Sequence, residues 1–306
     1  MTPEMIVPLL AAAVQSGTPI LYATLGEIFT ERSGILNLGV EGIMMVGALA
    51  AFLGARTTGD PALGLLCGGL AGAALAGVHG LVCIGFSGNQ VVSGLALTIL
   101  GTGLANYIGT PLVGQSAPGF HPIVLPLLGR IPILGPVFFR HDALVYLSYL
   151  VPPAMWAFFR YTRWGMALKA VGEHPAAAGA AGLDTAGFRW FGVLGGGFLA
   201  GMGGAYLSLA YTRLWTTGLT AGRGWIAVAL VIFAFWRPLR APAGAYLFGG
   251  VMAFQFRLQA MGTHLPSSLL LMLPYVLTVF VLVLASWRGR GDRAPAFLGM
   301  NLEPSE

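Results

Sequence analysis

The chain has 306 residues, 56% hydrophobic and 9% charged, with a mean hydropathy of +0.79. A water-soluble domain carries about 25% charged residues, so a soluble globular fold is excluded and an all-α, polytopic membrane protein is expected. The formal charge of +5 comes from scattered basic residues, which excludes a nucleic-acid-binding run and points to membrane orientation.

The first residues, MTPEMIVPLL, lack the basic region of a cleavable signal and carry Glu4. Crossing a hydrocarbon core takes about 17–25 apolar residues. Spans are predicted at 5–26, 35–55, 62–86, 89–109, 142–160, 190–211, 224–236, 241–256 and 267–287. The seventh and eighth are short, which predicts tilting, a kink or partial re-entry.

Nine spans leave the termini on opposite sides. With the C-terminus inside, ten basic residues fall inside (Arg32, Arg160, Arg163, Lys169, Arg189, Arg237, Arg240, Arg288, Arg290, Arg293). Six fall outside (Arg56, Arg130, Arg140, Arg213, Arg223, Arg257). The positive-inside rule therefore favours an outside N-terminus and a cytosolic C-terminus in the cell membrane.

On this reading 1–287 is the transmembrane domain and 288–306 (RGRGDRAPAFLGMNLEPSE) a polar, disordered cytosolic tail. Residues 110–141 form a Pro- and Gly-rich outside connection whose apolar patches suggest a segment at the interface or capping a cavity. Cys67 and Cys83 fall sixteen residues apart on one predicted helix, about 24 Å and beyond disulfide reach.

Polar groups at membrane depth are the informative feature. Asn37 and Glu41 are four apart and share a helix face. Asn89, Gln90 and Ser93 open the fourth span, and Thr98, Thr102 and Asn106 extend a stripe along it. A stripe of this kind faces the bundle interior or a water-filled path. It carries too few charges for a proton relay and suits a small, uncharged, hydroxyl-bearing solute. Interhelical hydrogen bonding that only holds the bundle is the alternative, and for Glu41 a carboxyl satisfied locally at a helix end. The pairs Gly197/Gly201 and Ala200/Gly204 in the sixth span predict close helix crossing.

Enzyme chemistry finds little support. Lys169 is the single lysine and sits in Ala-Leu-Lys-Ala, so no G-x-x-x-x-G-K-[ST] phosphate loop exists. The five histidines are dispersed, and no metal or other cofactor is expected.

The inside connection 161–189 reads as helical. In GEHPAAAGAAGLD, Pro175 suits a first helical position and Gly182 the left-handed residue after the end. Ala176 and Ala177 follow the proline, Leu183 and Asp184 follow the glycine, and Glu173 precedes. So short a helix needs a surface to lie on. That surface is either its own bundle or a groove in a partner.

Several of these stretches together resemble a known family. ERSGILNLGVEGIMMVGA (31–48), NQVVSGLALTIL (89–100), WGMALKAVGEHPAAAGAAGLD (164–184), GFLAGMGGAYLSL (197–209) and TAGRGWIAVALVIF (220–233) resemble permease subunits of ABC importers in the branched-chain amino acid, ribose and nucleoside group. The nucleoside type, associated with basic membrane proteins, is the nearest match. The resemblance implies a second homologous permease, a separate ABC ATPase subunit and an extracytoplasmic solute-binding protein. It also implies that Glu173 through Asp184 is the coupling helix to the ATPase. Sugar members of the group usually carry an extra N-terminal span, so nine spans with the N-terminus outside remain the expectation. The path would be lined by Asn37, Glu41, Asn89, Gln90, Ser93, Thr98 and Asn106. A stand-alone secondary transporter is the competing class; it would need more carboxylates at depth than Glu41.

Overall fold

The computed structural model describes residues 3–262, 266–288 and 294–300. Most of these are helical. The principal helices are α1 (Pro3–Glu31), α2 (Val40–Thr58), α3 (Pro61–Gly80) and α4 (Gln90–Gly109). They continue with α5 (Leu134–Phe138), α6 (Ala143–Tyr161), α7 (Arg163–Glu173), α8 (Pro175–Ala180) and α9 (Thr185–Tyr206). The last are α10 (Arg223–Ala234), α11 (Ala241–Ala260) and α12 (Ser267–Arg288). Single π-helical turns, Leu81–Gly85 and Leu207–Tyr211, extend α3 and α9.

Local chemistry explains where most helices begin. Asp60, Asn89, Asp142, Thr162, His174 and Asp184 each accept a hydrogen bond from a backbone N–H in the first turn of α3, α4, α6, α7, α8 and α9 respectively. Such caps satisfy donors that a helix start otherwise leaves unpaired.

Helices α1, α2, α3, α9 and α11 form the centre of the bundle, with Ile20, Leu21, Ile28, Ile43, Phe52 and Phe248 fully buried among them. The small residues of α9 do what their spacing predicts. A Cβ on Gly201 would run into the Gly68 carbonyl of α3, and one on Gly204 into the Met44 carbonyl of α2.

A helix occupies each of the nine predicted stretches. Among the described residues, five of them are long and apolar enough to cross a membrane: α1 from Ile6, α2, α3 and α9 with their π turns, and α4 with the short turn to Leu112. Residues of α10 and 238–260 qualify only as a pair, bent by 114°, which makes six if that pair is one span.

Residues 110–141 lie across one end of the bundle. Strand β1 (Ile123–Val124) pairs antiparallel with β2 (Arg140–His141), and Val137 of α5 packs on Val14, Leu144, Val145 and Tyr206. The tail departs from its expected disorder over 294–300. There the Ala296 N–H donates to Glu173 (3.0 Å), that of Phe297 to the Gly172 carbonyl (3.1 Å) and that of Gly299 to the Gly34 carbonyl (3.3 Å). The Arg189 guanidinium covers the Phe297 ring at 5.3 Å. Apolar residues Ala294, Phe297 and Leu298 give these seven residues something to bury, which a count of charges over the whole tail conceals. Residues 289–293 and 301–306 lie outside the described residues.

Candidate functional site

Helix α10 has 12 residues, about 18 Å at 1.5 Å per residue, against a hydrocarbon thickness of about 30 Å. It is a half-helix. The stretch before it, 212–222, descends without helical structure from the end covered by residues 110–141. Gly114 and Gln115 pair there with Trp215, and the Asn106 side chain accepts from the Gly218 N–H at 3.0 Å. Where this backbone is buried, at Trp215, Leu219 and Thr220, its polar groups require partners from the protein itself.

Glu41 supplies them. One carboxylate oxygen accepts from the Thr220 hydroxyl (2.5 Å) and the Gly222 N–H (2.8 Å), the other from the Gly224 N–H (2.6 Å). The start of α10 has no cap from its own chain neighbours. A carboxylate from the first turn of α2 therefore serves as its N-cap and complements the positive end of its dipole. The glycines of TAGRGW make the approach possible. Gly222 has φ +81° with the Tyr275 hydroxyl against it, and a Cβ on Gly224 would sit 2.5 Å from the Glu41 Cα. Arg223, counted among the outside basic residues, is buried; it donates to the carbonyls of Leu219 (3.3 Å) and Thr220 (3.0 Å) and lies over the Tyr211 ring. It is the first residue of α10, which begins one residue before the predicted span.

The other end of α10 is also held by α1. Phe235 and Trp236 both have φ +53°, a conformation costly for large side chains. The Trp236 indole N–H donates to Glu31, and Arg32 donates twice to the Trp236 carbonyl, at 3.1 and 3.2 Å. Glu27, one turn earlier, accepts from the Asn37 N–H at 3.0 Å. Both carboxyls are buried. Sequence reading missed them because the first span was ended at residue 26; the helix runs to Glu31, and the i, i+4 acids directly before Arg32 were the available signal.

The remaining expected residues are brought together around the segment 35–39. Asn37 closes an Asx turn onto the Gly39 N–H (2.8 Å). Gln90 accepts from the Leu36 N–H (2.8 Å) and donates to the Met300 carbonyl (3.1 Å). Thr98 donates to the Leu38 carbonyl (2.8 Å). Ser93 bonds His79, whose other ring nitrogen meets the Leu36 carbonyl at 3.0 Å; His79 was not anticipated. Thr102 bonds back to its own helix at Thr98. Asn89 is exposed and caps α4. Among the described residues, no three His, Cys, Asp or Glu side chains come together to hold a metal.

Helix α8 lies apart from this cluster. It starts on Pro175 and ends before Gly182 at φ +84°, as the sequence predicts. The Leu183 N–H reaches back to the Ala178 carbonyl at 3.0 Å. Pro175 and Ala178 face the protein, while Ala176, Ala177, Gly179 and Ala180 are exposed. Asp184 caps α9 through the Gly187 N–H, and Glu173 faces Arg32 at 3.8 Å and holds Ala296.

An apolar helical bundle with a short helix capped by buried polar side chains is an arrangement that transporter folds use. Residues 9–282 match the family described as branched-chain amino acid transport system / permease component, and the chain belongs to that family. It is similar to a putative glucose ABC transporter permease protein of Haloferax volcanii, 48% identical over 84% of this chain and 79% of the relative. A nucleoside ABC transporter permease protein of Lactococcus lactis is 33% identical over 87% of this chain and 88% of its own length. A guanosine ABC transporter permease protein of Bacillus subtilis is 32% identical over 96% and 95%. No solved structure matches the chain. The chain is thus an ABC transporter permease, a transporter subunit by family.

Proposed function

We propose that this permease forms half of the translocation path of an importer for nucleosides or nucleobases, with ATP hydrolysed on a separate subunit. Its partners are that ATPase, a second homologous permease and an extracytoplasmic solute-binding protein. The chain crosses the cell membrane nine times, with the N-terminus outside and the C-terminus cytosolic. The segment 212–234 is then one discontinuous span, passing first through non-helical turns and then through α10.

The observation that carries the coupling role is α8. Its exposed face consists of alanine and glycine only, a flat surface that a groove in the ATPase accepts without burying an unpaired polar group. Glu173, Pro175, Ala176, Ala177, Gly182, Leu183 and Asp184 form this element. Closure of the ATPase moves α8, and α7 and α9 on either side of it carry the motion into the bundle.

Asn37 and Glu41 shape the path by holding 35–39 and α10, their own polar atoms being engaged there. Gln90, Ser93, Thr98 and Asn106 line the side along α4, with Asn89 at its mouth. The hydroxyls and amides along α4 and 216–220 suit a neutral solute rich in hydroxyl groups. The Lactococcus and Bacillus relatives support nucleosides; the more identical Haloferax relative favours a second reading, a simple sugar.

Affinity purification of the tagged chain from its native membrane tests the main reading. A phosphate-loop ATPase and a similar permease are expected to co-purify, the ATPase being lost when Ala177 becomes Glu. A chain that purifies alone and moves solute in vesicles without ATP overturns it. Uptake of labelled guanosine in competition with glucose then separates the two solutes.

A further inference from the structure

Between α6, α7 and the turn that follows α10 lies a cavity of about 430 Å³ that nothing in the transport reading uses. Five cationic side chains line it: Arg32, Arg160, Lys169, Arg237 and Arg240. Arg160, Arg237 and Arg240 are exposed at its mouth, while Arg32 and Lys169 are half-buried. Trp156 and Trp236 supply indole walls and Phe159 an apolar floor.

Among the described residues, the lining holds these five cations and no carboxylate. Glu173 stands 3.8 Å from Arg32, and Glu31 accepts from the indole N–H of Trp236. The cavity therefore carries a net positive field. Lys169 registers it: burial, with the charges of Arg32 and Arg160, lowers its pKa from the ordinary lysine value. Like charges are gathered here at a cost, and a bound anion is what offsets such a cost. The chemistry selects the anion. Guanidinium groups fork onto phosphate oxygens, and indoles beside basic residues mark the headgroup level of a membrane.

We propose that this cavity is a binding site for a phosphate group, either the headgroup of an anionic phospholipid or a free phosphate-bearing solute. Basic pockets between membrane helices take lipid phosphates in this way. Assigning the site to the inner leaflet uses the orientation proposed above; the site itself does not depend on it. Because the cavity includes Trp236 and Arg32, an occupant would brace the strained end of α10.

The test reconstitutes the full chain into nanodiscs of phosphatidylcholine alone, or of phosphatidylcholine doped with phosphatidylglycerol. The melting midpoint is read in both, and inorganic phosphate is titrated into the neutral discs. A higher midpoint with phosphatidylglycerol, and one phospholipid retained in native mass spectrometry, identifies the headgroup. A higher midpoint with inorganic phosphate in neutral discs identifies the free ion. In either case Arg237→Gln with Arg240→Gln is expected to weaken binding about 25-fold, about five-fold for each basic residue lost. Arg237→Lys with Arg240→Lys should retain most of it. Should the double Gln variant fail to assemble, Lys169→Gln serves in its place. No shift with either anion, or an equal shift in wild type and Gln variants, overturns the site. Loss of the ATPase from the Gln variants with no anion effect also overturns it, and makes this face a protein contact. Ala177→Glu leaves the anion shift unchanged, so failure here is distinct from failure of the coupling reading.

Discussion

Helix α8 has six residues and takes its N-cap from His174, the residue before it; α10 has twelve and takes its N-cap from Glu41, on another helix. The first lies on the surface, with one alanine-rich face open and its ends satisfied by neighbours in sequence. The second is buried along most of its length, and each end is gripped by an acidic residue of a different helix, Glu41 at the start and Glu31 at the finish. A surface helix can leave unpaired groups to water. A helix whose first turn is buried in protein cannot, so its partners must come from the fold. The difference predicts that α8 tolerates change as a structure and is sensitive as a contact, whereas α10 is sensitive as a structure.

The strongest way to break that contrast is Glu41→Ala. It strips one hydroxyl and two backbone donors of their acceptor, and each buried donor left unsatisfied costs about 1–3 kcal/mol. The reconstituted permease should melt far below wild type and lose uptake. Glu41→Gln keeps the shape but presents an N–H to Gly224 or to Thr220 and Gly222, so an intermediate loss is expected. Unchanged assembly and uptake in Glu41→Gln would remove Glu41 from the account altogether.

Gly224→Ala is next. Its Cβ would press on the Glu41 backbone, and overpacking of this kind costs about 1–3 kcal/mol. A double mutant with Glu41→Ala should show non-additive losses, because the two changes break one contact. Additive losses would separate the glycine from the cap.

Smaller still is Gly182→Ala at the end of α8. No atom lies within 4 Å of its Cβ position, so only the left-handed backbone opposes it, at about 1 kcal/mol. The melting midpoint should fall slightly, while ATPase-driven uptake falls more if α8 must keep its exit angle. Ala177→Glu should be nearly silent in stability, within about 0.5 kcal/mol, and severe for ATPase association. A large loss of stability there would mean that α8 packs on its own bundle instead.

Much of the helical plan was legible in the residues. Long apolar runs located the helices, and Asp60, Asn89, Asp142 and Asp184 stand where helices start. Pro175 and Gly182 bracket α8 because both act on their own backbone. Glu41 could be marked as anomalous in an apolar run, yet its partner lies about 180 residues downstream, and no periodicity carries that distance. Glu27 and Glu31 were hidden for a simpler reason, a span boundary drawn at the first acid instead of past the second. Arg223 was left in the connection because the seventh span was drawn from 224, while the helix starts at Arg223 itself. The packing of 294–300 against Glu173, Gly172 and Gly34 was invisible because the tail was judged by its charge as a whole.

Composition and hydropathy determined by themselves that this protein lives in a membrane as helices, since no other use of so apolar a chain satisfies its backbone. Local residue chemistry determined where most helices begin and where α8 ends. Only the tertiary structure decided that one helix is a half-length piece starting inside the bundle. The donors at its first turn, exposed to neither water nor their own sequence neighbours, are satisfied by a carboxylate that the folded bundle brings to them.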